Sequence, residues 1–278
     1  PQNTLAWDID PYSKDVLLNP ENFFNNLREK GPFVYLSKYK MLACGRYKET
    51  KEVFSDHKRF VSSRGVGIQD FKLEAPWRPP SQVLEVDPPQ HTKNRRFLAQ
   101  ALSPNKIAKL KDFFKECADQ LISELLQKKE IDGISDLAEM FPTKVFPEAV
   151  GLKKIDKDTL LGYGAMVFNA LGPDNEFRND AMAKGLSVLE KINKQCLEEN
   201  IDNTGLAKEI YKSTAEASEE EQLAGMLVRS LLSAGIDTTV SAIGNLLWCF
   251  SENPEQFETL KNNKSLVGNA VEESLRLT

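Results

Sequence analysis

The stretch Leu231-Leu232-Ser233-Ala234-Gly235-Ile236-Asp237-Thr238-Thr239 lies inside an apolar run whose periodicity predicts one helix over about 219–253. Ser218 opens an S-x-x-E capping box, and Asn253-Pro254 predicts the stop. Glycine costs about 1 kcal/mol inside a helix relative to alanine, and Asp and Thr are weak helix formers. Threonine hydroxyls also bond to carbonyls one turn back and bend the axis. Such a defect predicts that a ligand or cofactor approaches the backbone here.

Along this predicted helix, small and polar residues separate from apolar ones. At about 100° per residue, one face carries Ser233, Ala234, Asp237, Thr238, Ser241 and Asn245. The other faces carry Leu231, Leu232, Ile236, Val240 and Ile243. The pattern is typical of a buried helix that lines a cavity. It also fits a central helix whose polar face meets water or another helix, and the pattern alone leaves both open.

Composition limits the classes of function. The chain has 278 residues, of which 41% are hydrophobic, so it is long enough for a large core. A net charge of −5 without a long basic run argues against nucleic acid as a partner. No run approaches the roughly 18 consecutive apolar residues of a membrane span, and the N-terminus lacks a signal-peptide pattern. We therefore expect a cytoplasmic protein without a membrane partner.

Neither metal-binding nor disulfide patterns are evident in the sequence. The cysteines are far apart and form no C-x-x-C pair; they are Cys44, Cys117, Cys196 and Cys249. The histidines are His57 and His91. A zinc site and a disulfide framework are therefore not indicated. Any metal would have to arrive inside a cofactor or use ligands outside this sequence.

The chain reads as a single, mostly helical domain, 1–278, with a small β-element near its N-terminus. A hairpin is predicted at 33–36 and 41–44, and the Gly- and Pro-rich segment 61–89 reads as a long loop. Helices are predicted at 20–30, 47–55, 90–101, 104–128, 132–150, 156–171, 178–198, 204–212, 219–253, 254–262 and 264–278. The last helix has no Gly or Pro stop, so we expect the polypeptide to continue beyond Thr278.

Three stretches resemble motifs of the bacterial cytochromes P-450, in the family's order and spacing. Asp87-Pro88-Pro89-Gln90-His91-Thr92-Lys93-Asn94-Arg95-Arg96, followed by Leu102-Ser103-Pro104, is similar to the D-P-P-x-H-T-x-x-R-R segment. Ala234 to Thr239 resembles the A-G-x-D-T-T oxygen-binding motif, and Glu273-Ser274-Leu275-Arg276 resembles the E-x-x-R helix. The resemblance covers essentially the whole chain. It implies the all-α cytochrome P-450 fold, of which 1–278 would be the N-terminal two thirds.

Four further segments narrow the resemblance to bacterial monooxygenases that oxidise para-substituted benzoic acids such as 4-methoxybenzoate: 62–67, 76–81, 167–170 and 228–233. The resemblance implies oxidation of a small aromatic carboxylic acid with O₂, as para O-demethylation or hydroxylation. It implies haem b as the cofactor, with NAD(P)H electrons delivered by a ferredoxin and its reductase. The alternatives are a cytochrome P-450 that acts on a different acid or a terpenoid, and a non-catalytic helical fragment without haem.

The resemblance also implies roles for residues near the cofactor. His91 and Arg95, at i and i+4, share a helix face and would hydrogen-bond a haem propionate. Asp237 and Thr238 would be the catalytic acid–alcohol pair that delivers protons to bound oxygen. The remaining cofactor-binding positions would be Ala234, Gly235 and Thr239.

One departure from the family pattern is large. The family's iron ligand is a cysteine in a F-x-x-G-x-x-x-C-x-G loop beyond E-x-x-R, and none of the four cysteines has that context. No metal ligand is therefore assigned within 1–278, and the haem cysteine is expected beyond Thr278. Glu273 and Arg276, at i and i+3, can form a surface ion pair, and their implied role is structural.

A benzoate anion that enters a dry pocket loses its hydration and needs charged or hydroxyl donors in return. The donors predicted for it are Arg78, Ser81, Arg229, Ser230 and Ser233. Ser230 and Thr238 are about 12 Å apart along a helix axis, which suits a substrate held by its anion while its para end reaches oxygen. The apolar walls predicted for it are Leu84, Phe168 and Leu171. The sequence leaves open whether Arg229 is solvated and whether Phe168 and Leu171 belong to the ordinary core.

Overall fold

The computed structural model describes residues 4–76, 78–152, 155–217 and 221–277. It is mainly helical with one small sheet, which confirms the fold class predicted from the sequence. Contacts divide the chain into two compact units. Unit 1 comprises Pro1–Thr92 and Ala170–Arg178, and unit 2 comprises Lys93–Asn169 and Asn179–Thr278. The sequence predicted a single domain over 1–278, and that interpretation stays a prediction.

Unit 1 contains a three-stranded sheet. Its strands are β1 (Leu5–Trp7), β2 (Val34–Leu36) and β3 (Met41–Ala43), in that order. β2 and β3 are antiparallel, with Val34 opposite Ala43, which confirms the predicted hairpin. β1 runs parallel to β2 and was not predicted, because three residues are too few to carry a two-residue periodicity.

Unit 1 also contains three helices, namely α1 (Lys14–Leu18), α2 (Pro20–Lys30) and α3 (Tyr47–Ser55). Pro20 occupies the first turn of α2, where its missing N–H costs nothing. The buried core consists of Phe23 and Leu27 of α2 against Val34 of β2. The Trp7 ring stacks on the Phe23 ring with centroids 5.3 Å apart.

The long loop predicted at 61–89 contains no helix or strand among its described residues. Its two ends are joined by Asp87, whose carboxylate accepts the backbone N–H of Ser62 at 2.8 Å and of Ser63 at 3.2 Å. The N–H of Ile68 donates to the carbonyl of Leu171 at 2.9 Å. These bonds give the loop a defined path within unit 1 although it lacks regular structure.

The remaining α-helices are α4 (Gln90–Ala101), α5 (Pro104–Leu125), α6 (Met140–Val150), α7 (Lys157–Asn169), α8 (Glu176–Gln195), α9 (Leu206–Glu216), α10 (Glu221–Gly235), α11 (Asp237–Glu252), α12 (Pro254–Asn262) and α13 (Val267–Leu277). A π-helix (Gly133–Ala138) precedes α6, and short 3₁₀ turns lie at Glu198–Asn200 and Lys264–Leu266. The predicted bounds of α2, α3, α4 and α12 are confirmed, whereas several other predicted helices differ by a few residues at their ends.

Two predictions of single long helices were wrong. The segment 132–150 is a π-helix followed by α6, and the Asp132 carboxylate caps the π-helix by accepting the N–H groups of Ile134 and Ser135. The segment 219–253 is divided into α10 and α11 by Ile236. The predicted capping box at Ser218 lies outside the described residues.

Helix α10 is central to unit 2 and packs against α9, α6 and α7. Its side chains Leu227, Val228 and Leu232 are completely buried. Burial of such a side chain contributes about 1.5–3 kcal/mol, so the position of α10 is strongly determined. By length and composition alone, Gln222–Glu252 could also cross a membrane, and the core helix of a soluble protein meets the same criterion.

Candidate functional site

The candidate site in unit 2 is the break between α10 and α11. Ile236 has φ −89° and ψ −70°, away from ideal helix values, and the N–H groups of Thr239 and Val240 both donate to its carbonyl. The Thr238 hydroxyl donates to the carbonyl of Ala234 one turn earlier. Hydroxyl groups bound to carbonyls in this way bend helices. The bend therefore occurs at the defect predicted from the sequence.

The two faces of the break have opposite surroundings. Ile236 is 1% exposed. Gly235 is covered by the ring of Phe146 from α6, so that any Cβ at this position would overlap the ring. On the other side, Ala234 and Thr238 are exposed. Packing therefore covers Gly235 and Ile236, whereas Ala234 and Thr238 of the predicted cavity-lining face are left uncovered.

Asp237 is the first residue of α11, and its carboxyl group is half-buried. It lies against α7 at Gly164, where a Cβ would be 3.0 Å from Asp237 Cβ and 3.3 Å from Oδ1. Burial raises the pKa of the Asp237 carboxyl. The other carboxyl groups that the structure describes with shifted pKa values, such as Asp87 and Asp132, are shifted downward by hydrogen bonds. A carboxyl group perturbed upward without a counter-ion is a candidate for proton transfer.

The hydroxyl groups predicted to bind a carboxylate on α10 are engaged with the helix backbone. Ser230 Oγ donates to the carbonyl of Met226 at 2.9 Å, and Ser233 Oγ donates to the carbonyl of Ser230 at 3.1 Å. Arg229 donates from NH1 to Asn193 Oδ1 of α8 at 2.8 Å. Arg229 is thus held toward α8 by a hydrogen bond to a neutral side chain and is not simply solvated.

In unit 1, Arg78 is paired with a carboxylate that the sequence analysis did not single out. Its guanidinium donates to Glu85 Oε2 at 2.8 Å and to Oε1 at 3.2 Å, with side-chain exposures of 9% and 1%. Glu85 also accepts the backbone N–H of Ser81 at 2.6 Å. Ser81 Oγ accepts the N–H groups of Val83 and Leu84, so its hydroxyl hydrogen can donate to a further acceptor.

The predicted apolar walls differ in exposure. Leu84 is 54% exposed and Phe168 is 38% exposed, so neither is ordinary core. Leu171 is half-buried, and its backbone touches Gly67. At the other end of unit 2, Arg276 donates from Nε to Glu273 Oε2 at 2.7 Å and from NH2 to Oε1 at 2.8 Å, so the predicted i, i+3 ion pair is formed.

Comparison with known proteins identifies the family. The family model for cytochrome P-450 matches residues 14–149. Cytochrome CYP199A2 of Rhodopseudomonas palustris is 44% identical over 271 residues, which are 96% of this chain and 65% of the relative. The chain belongs to the cytochrome P-450 family.

More distant relatives agree with this assignment. Cytochrome P-450 107B1 of Saccharopolyspora erythraea is 30% identical over 70% of this chain and 47% of the relative. The solved structure of CalO2 superimposes with a TM-score of 0.81 at 19% identity, over 97% of this chain and 69% of that chain. The structure of P450BioI with an acyl carrier protein gives 0.78 at 22% identity, which supports the fold alone. The chain spans about two thirds of the length of CYP199A2.

Cytochromes P-450 use haem b, and features of this chain fit that group. His91 is half-buried and Arg95 is exposed on α4, and neither side chain has a hydrogen bond or ion pair among the residues that the structure describes. Two unused donors on one helix suit haem propionates. The exposed Ala234 leaves space for a flat macrocycle beside α10, and Thr239 is half-buried one turn further on.

Sequence reasoning missed three residues of this cytochrome P-450 that support the predicted site residues: Phe146, Gly164 and Glu85. Glu85 had a detectable signal, because it is a lone acid in the apolar run Val83–Val86 and such a residue is buried only when it is paired. The roles of Phe146 and Gly164 depend on contacts between distant helices, for which the sequence carries no local signal.

Proposed function

We propose that the full-length protein is a haem-thiolate monooxygenase that oxidises a small aromatic carboxylic acid at its para position. The observation that carries the proposal is the presence, at one helix break, of both an exposed Thr238 and a half-buried Asp237 carboxyl with a raised pKa. The resemblance to benzoate-oxidising cytochromes P-450 supports the substrate class. With 4-methoxybenzoate, O₂, two electrons and two protons would give 4-hydroxybenzoate, formaldehyde and water.

Asp237 and Thr238 have complementary roles in the proposal. Burial raises the pKa of the Asp237 carboxyl above that of an ordinary aspartate. A pKa closer to the operating pH favours proton transfer. Asp237 would relay the proton through its carboxyl, and Thr238, whose hydroxyl donates to the Ala234 carbonyl, would present Oγ1 on the uncovered face. His91 and Arg95 would bind the haem propionates. The bound haem supplies the activation of O₂ and the insertion of one oxygen atom into a C–H bond.

The proposed substrate carboxylate is recognised through hydroxyl groups. Ser230 and Ser233 can turn from backbone carbonyls toward an anion at the cost of one hydrogen bond each, about 0.5–1.5 kcal/mol. Ser81 offers its free hydroxyl hydrogen. Arg78 is kept as a proposed contact, and Glu85 balances its charge. Selection of a carboxylate substrate would therefore depend more on the positions of the hydroxyl donors than on a net positive charge in the site.

We place the protein in the cytoplasm, with electrons from NAD(P)H delivered by a ferredoxin and its reductase. A different acid or a terpenoid as substrate is the competing hypothesis. The buried hydroxyl of Ser81 favours an anionic substrate over a terpenoid hydrocarbon, because a buried donor without an acceptor is costly.

The test compares 4-methoxybenzoate with its methyl ester in the full-length, haem-loaded protein, and wild type with Thr238→Ala. Binding is followed by the change in haem absorption, and product is compared with hydrogen peroxide formed. Loss of a charged hydrogen-bond partner costs about 2–5 kcal/mol, so we expect the acid to bind at least about tenfold more tightly than the ester. Thr238→Ala should bind the acid normally and divert electrons to peroxide.

Ser251→Ala is the matched control, because Ser251 also donates its hydroxyl to a backbone carbonyl in α11 but lies far from the break. It should leave the ratio of product to peroxide unchanged. Equal affinities for the acid and the ester would refute carboxylate recognition. Full conversion of electrons into product by Thr238→Ala would refute the role of its hydroxyl.

A further inference from the structure

Helix α7 contacts helix α11 at a glycine. Gly164 is buried, and a Cβ there would lie 3.0 Å from Asp237 Cβ, 3.3 Å from Oδ1 and 3.4 Å from Cγ. Favourable contacts between carbon atoms are about 3.5–4.0 Å. Asp237 can lie against α7 in this way because residue 164 has no side chain.

Helix propensity does not account for a glycine at position 164. Gly164 lies in the interior of α7 (Lys157–Asn169), where glycine is less favourable than alanine. Gly162 lies two residues earlier in the same helix, and a Cβ there would meet nothing closer than Val188 Cγ2 at 3.6 Å, an ordinary contact. The spatial requirement is therefore specific to position 164 and is set by the acid of α11.

We infer that Gly164 is a positioning residue that fixes the Asp237 carboxyl at the contact between α7 and α11. The inference rests on the proposed function of Asp237 in proton delivery. No charged group of the described residues forms an ion pair with Asp237, including those of α7, α10, α12, α13 and the π-helix packed near α11. Packing against Gly164, and not a counter-ion, therefore determines where this carboxyl lies.

A methyl group at position 164 cannot be accommodated by moving the end of a flexible side chain. Its nearest neighbour is Asp237 Cβ, which is fixed to the backbone of α11. Either the carboxyl turns away from α7 or the two helices separate. Rotation moves the carboxyl relative to Thr238, and separation of the helices removes the packing that holds the carboxyl in one orientation.

The experiment uses the full-length, haem-loaded protein and compares Gly164→Ala, Gly162→Ala, Asp237→Asn and the double variant Gly164→Ala/Asp237→Asn. The pH profile of product formation from 4-methoxybenzoate is measured for each variant. Carbon-13 NMR follows the titration of the Asp237 carboxyl in substrate-free protein. General acid–base groups contribute about a hundredfold or more, so we expect Gly164→Ala to slow product formation by about tenfold.

Gly164→Ala should also shift the pH profile and the NMR titration midpoint, whereas Gly162→Ala should change none of these quantities. The double variant should be no slower than Asp237→Asn, because both changes act on one group. Asp237→Glu gives a second test that leaves α7 unaltered. It lengthens the side chain by one methylene, moves the carboxyl away from Gly164, and should slow product formation as Gly164→Ala does.

The outcomes separate the two hypotheses. If Asp237→Asn forms product at the wild-type rate, the proposed relay fails. If Asp237→Asn is slow while Gly164→Ala matches Gly162→Ala in rate, pH profile and titration midpoint, the positioning role is overturned. Wild-type behaviour of Asp237→Glu would likewise overturn it, since carboxyl position would then have no effect.

Discussion

Gly235→Ala is the most direct test of how the helix break is built. Gly235 is the last residue of α10, and the ring of Phe146 lies against it. A Cβ at residue 235 would overlap Phe146 Cζ and lie 2.5 Å from both Cε1 and Cε2. These atoms belong to a rigid ring, so relief requires displacement of the whole side chain or of a helix.

The magnitude follows from two opposing effects. Alanine is favoured over glycine in a helix by at most about 1 kcal/mol. Overpacking of a filled core typically costs about 1–3 kcal/mol. Together, the two effects predict that Gly235→Ala lowers the free energy of unfolding by about 0–3 kcal/mol. Gly162→Ala is the matched control, and it should raise that free energy by up to about 1 kcal/mol because its methyl group meets an ordinary contact.

The assay is urea unfolding of the full-length protein, with the midpoint and slope compared between variants. The difference between the two glycine variants should be the overpacking cost, about 1–3 kcal/mol. Adding Phe146→Leu to Gly235→Ala should recover part of the loss, since a smaller side chain leaves room for the methyl group. The reasoning is refuted if Gly235→Ala is as stable as Gly162→Ala, or if Phe146→Leu adds its own full cost in both backgrounds.

Two further predictions concern carboxyl groups removed wholly or partly from solvent. Glu85→Gln leaves the Arg78 guanidinium without its carboxylate and should lower the free energy of unfolding, measured in urea, by about 3–5 kcal/mol. Adding Arg78→Met should restore most of this loss, and equal stabilities of the single and double variants would contradict the prediction. Burial raises the pKa of Asp237 in the folded state, so the folded state binds this proton more tightly than the unfolded state does. Wild type should therefore lose stability relative to Asp237→Asn as the pH rises from below 3.8, the ordinary pKa of an aspartate, through the raised pKa of the folded state. If the unfolding midpoints of wild type and Asp237→Asn change in parallel across that pH range, then burial does not raise the pKa of the Asp237 carboxyl.

The sequence predicted those features that depend on neighbours along the chain. Glycine, aspartate and threonine in succession are poor helix formers, so the break at Ile236 was located, although the segment was expected to remain one helix. Pro20, Pro104 and Pro254 each start a helix at the residue where proline is tolerated. Propensity and capping act within one or two turns, which is why these features are readable from sequence.

Side-chain contacts outside a single helix or strand could not be predicted in this way. Arg78 was assigned to a substrate carboxylate from its residue type, but a single sequence does not reveal that Glu85 is bidentate to it. The pairing of Gly164 with Asp237 and of Gly235 with Phe146 depends on how α7 and α6 pack on the broken helix. Glycine carries no hydrophobic periodicity, so its partner in space has no signature in the pattern.

The geometry of the break accounts for the asymmetry on which the proposed chemistry depends. Phe146 fills the space against Gly235, and Gly164 provides the space for the Asp237 carboxyl, so α6 and α7 each cover part of the break. Neither contact covers Ala234 or Thr238, and both of these residues are exposed. The break therefore places an acid that is packed against α7 next in sequence to a residue whose side chain is exposed. The two glycines are therefore required for different reasons, one to admit a ring and the other to admit a carboxyl.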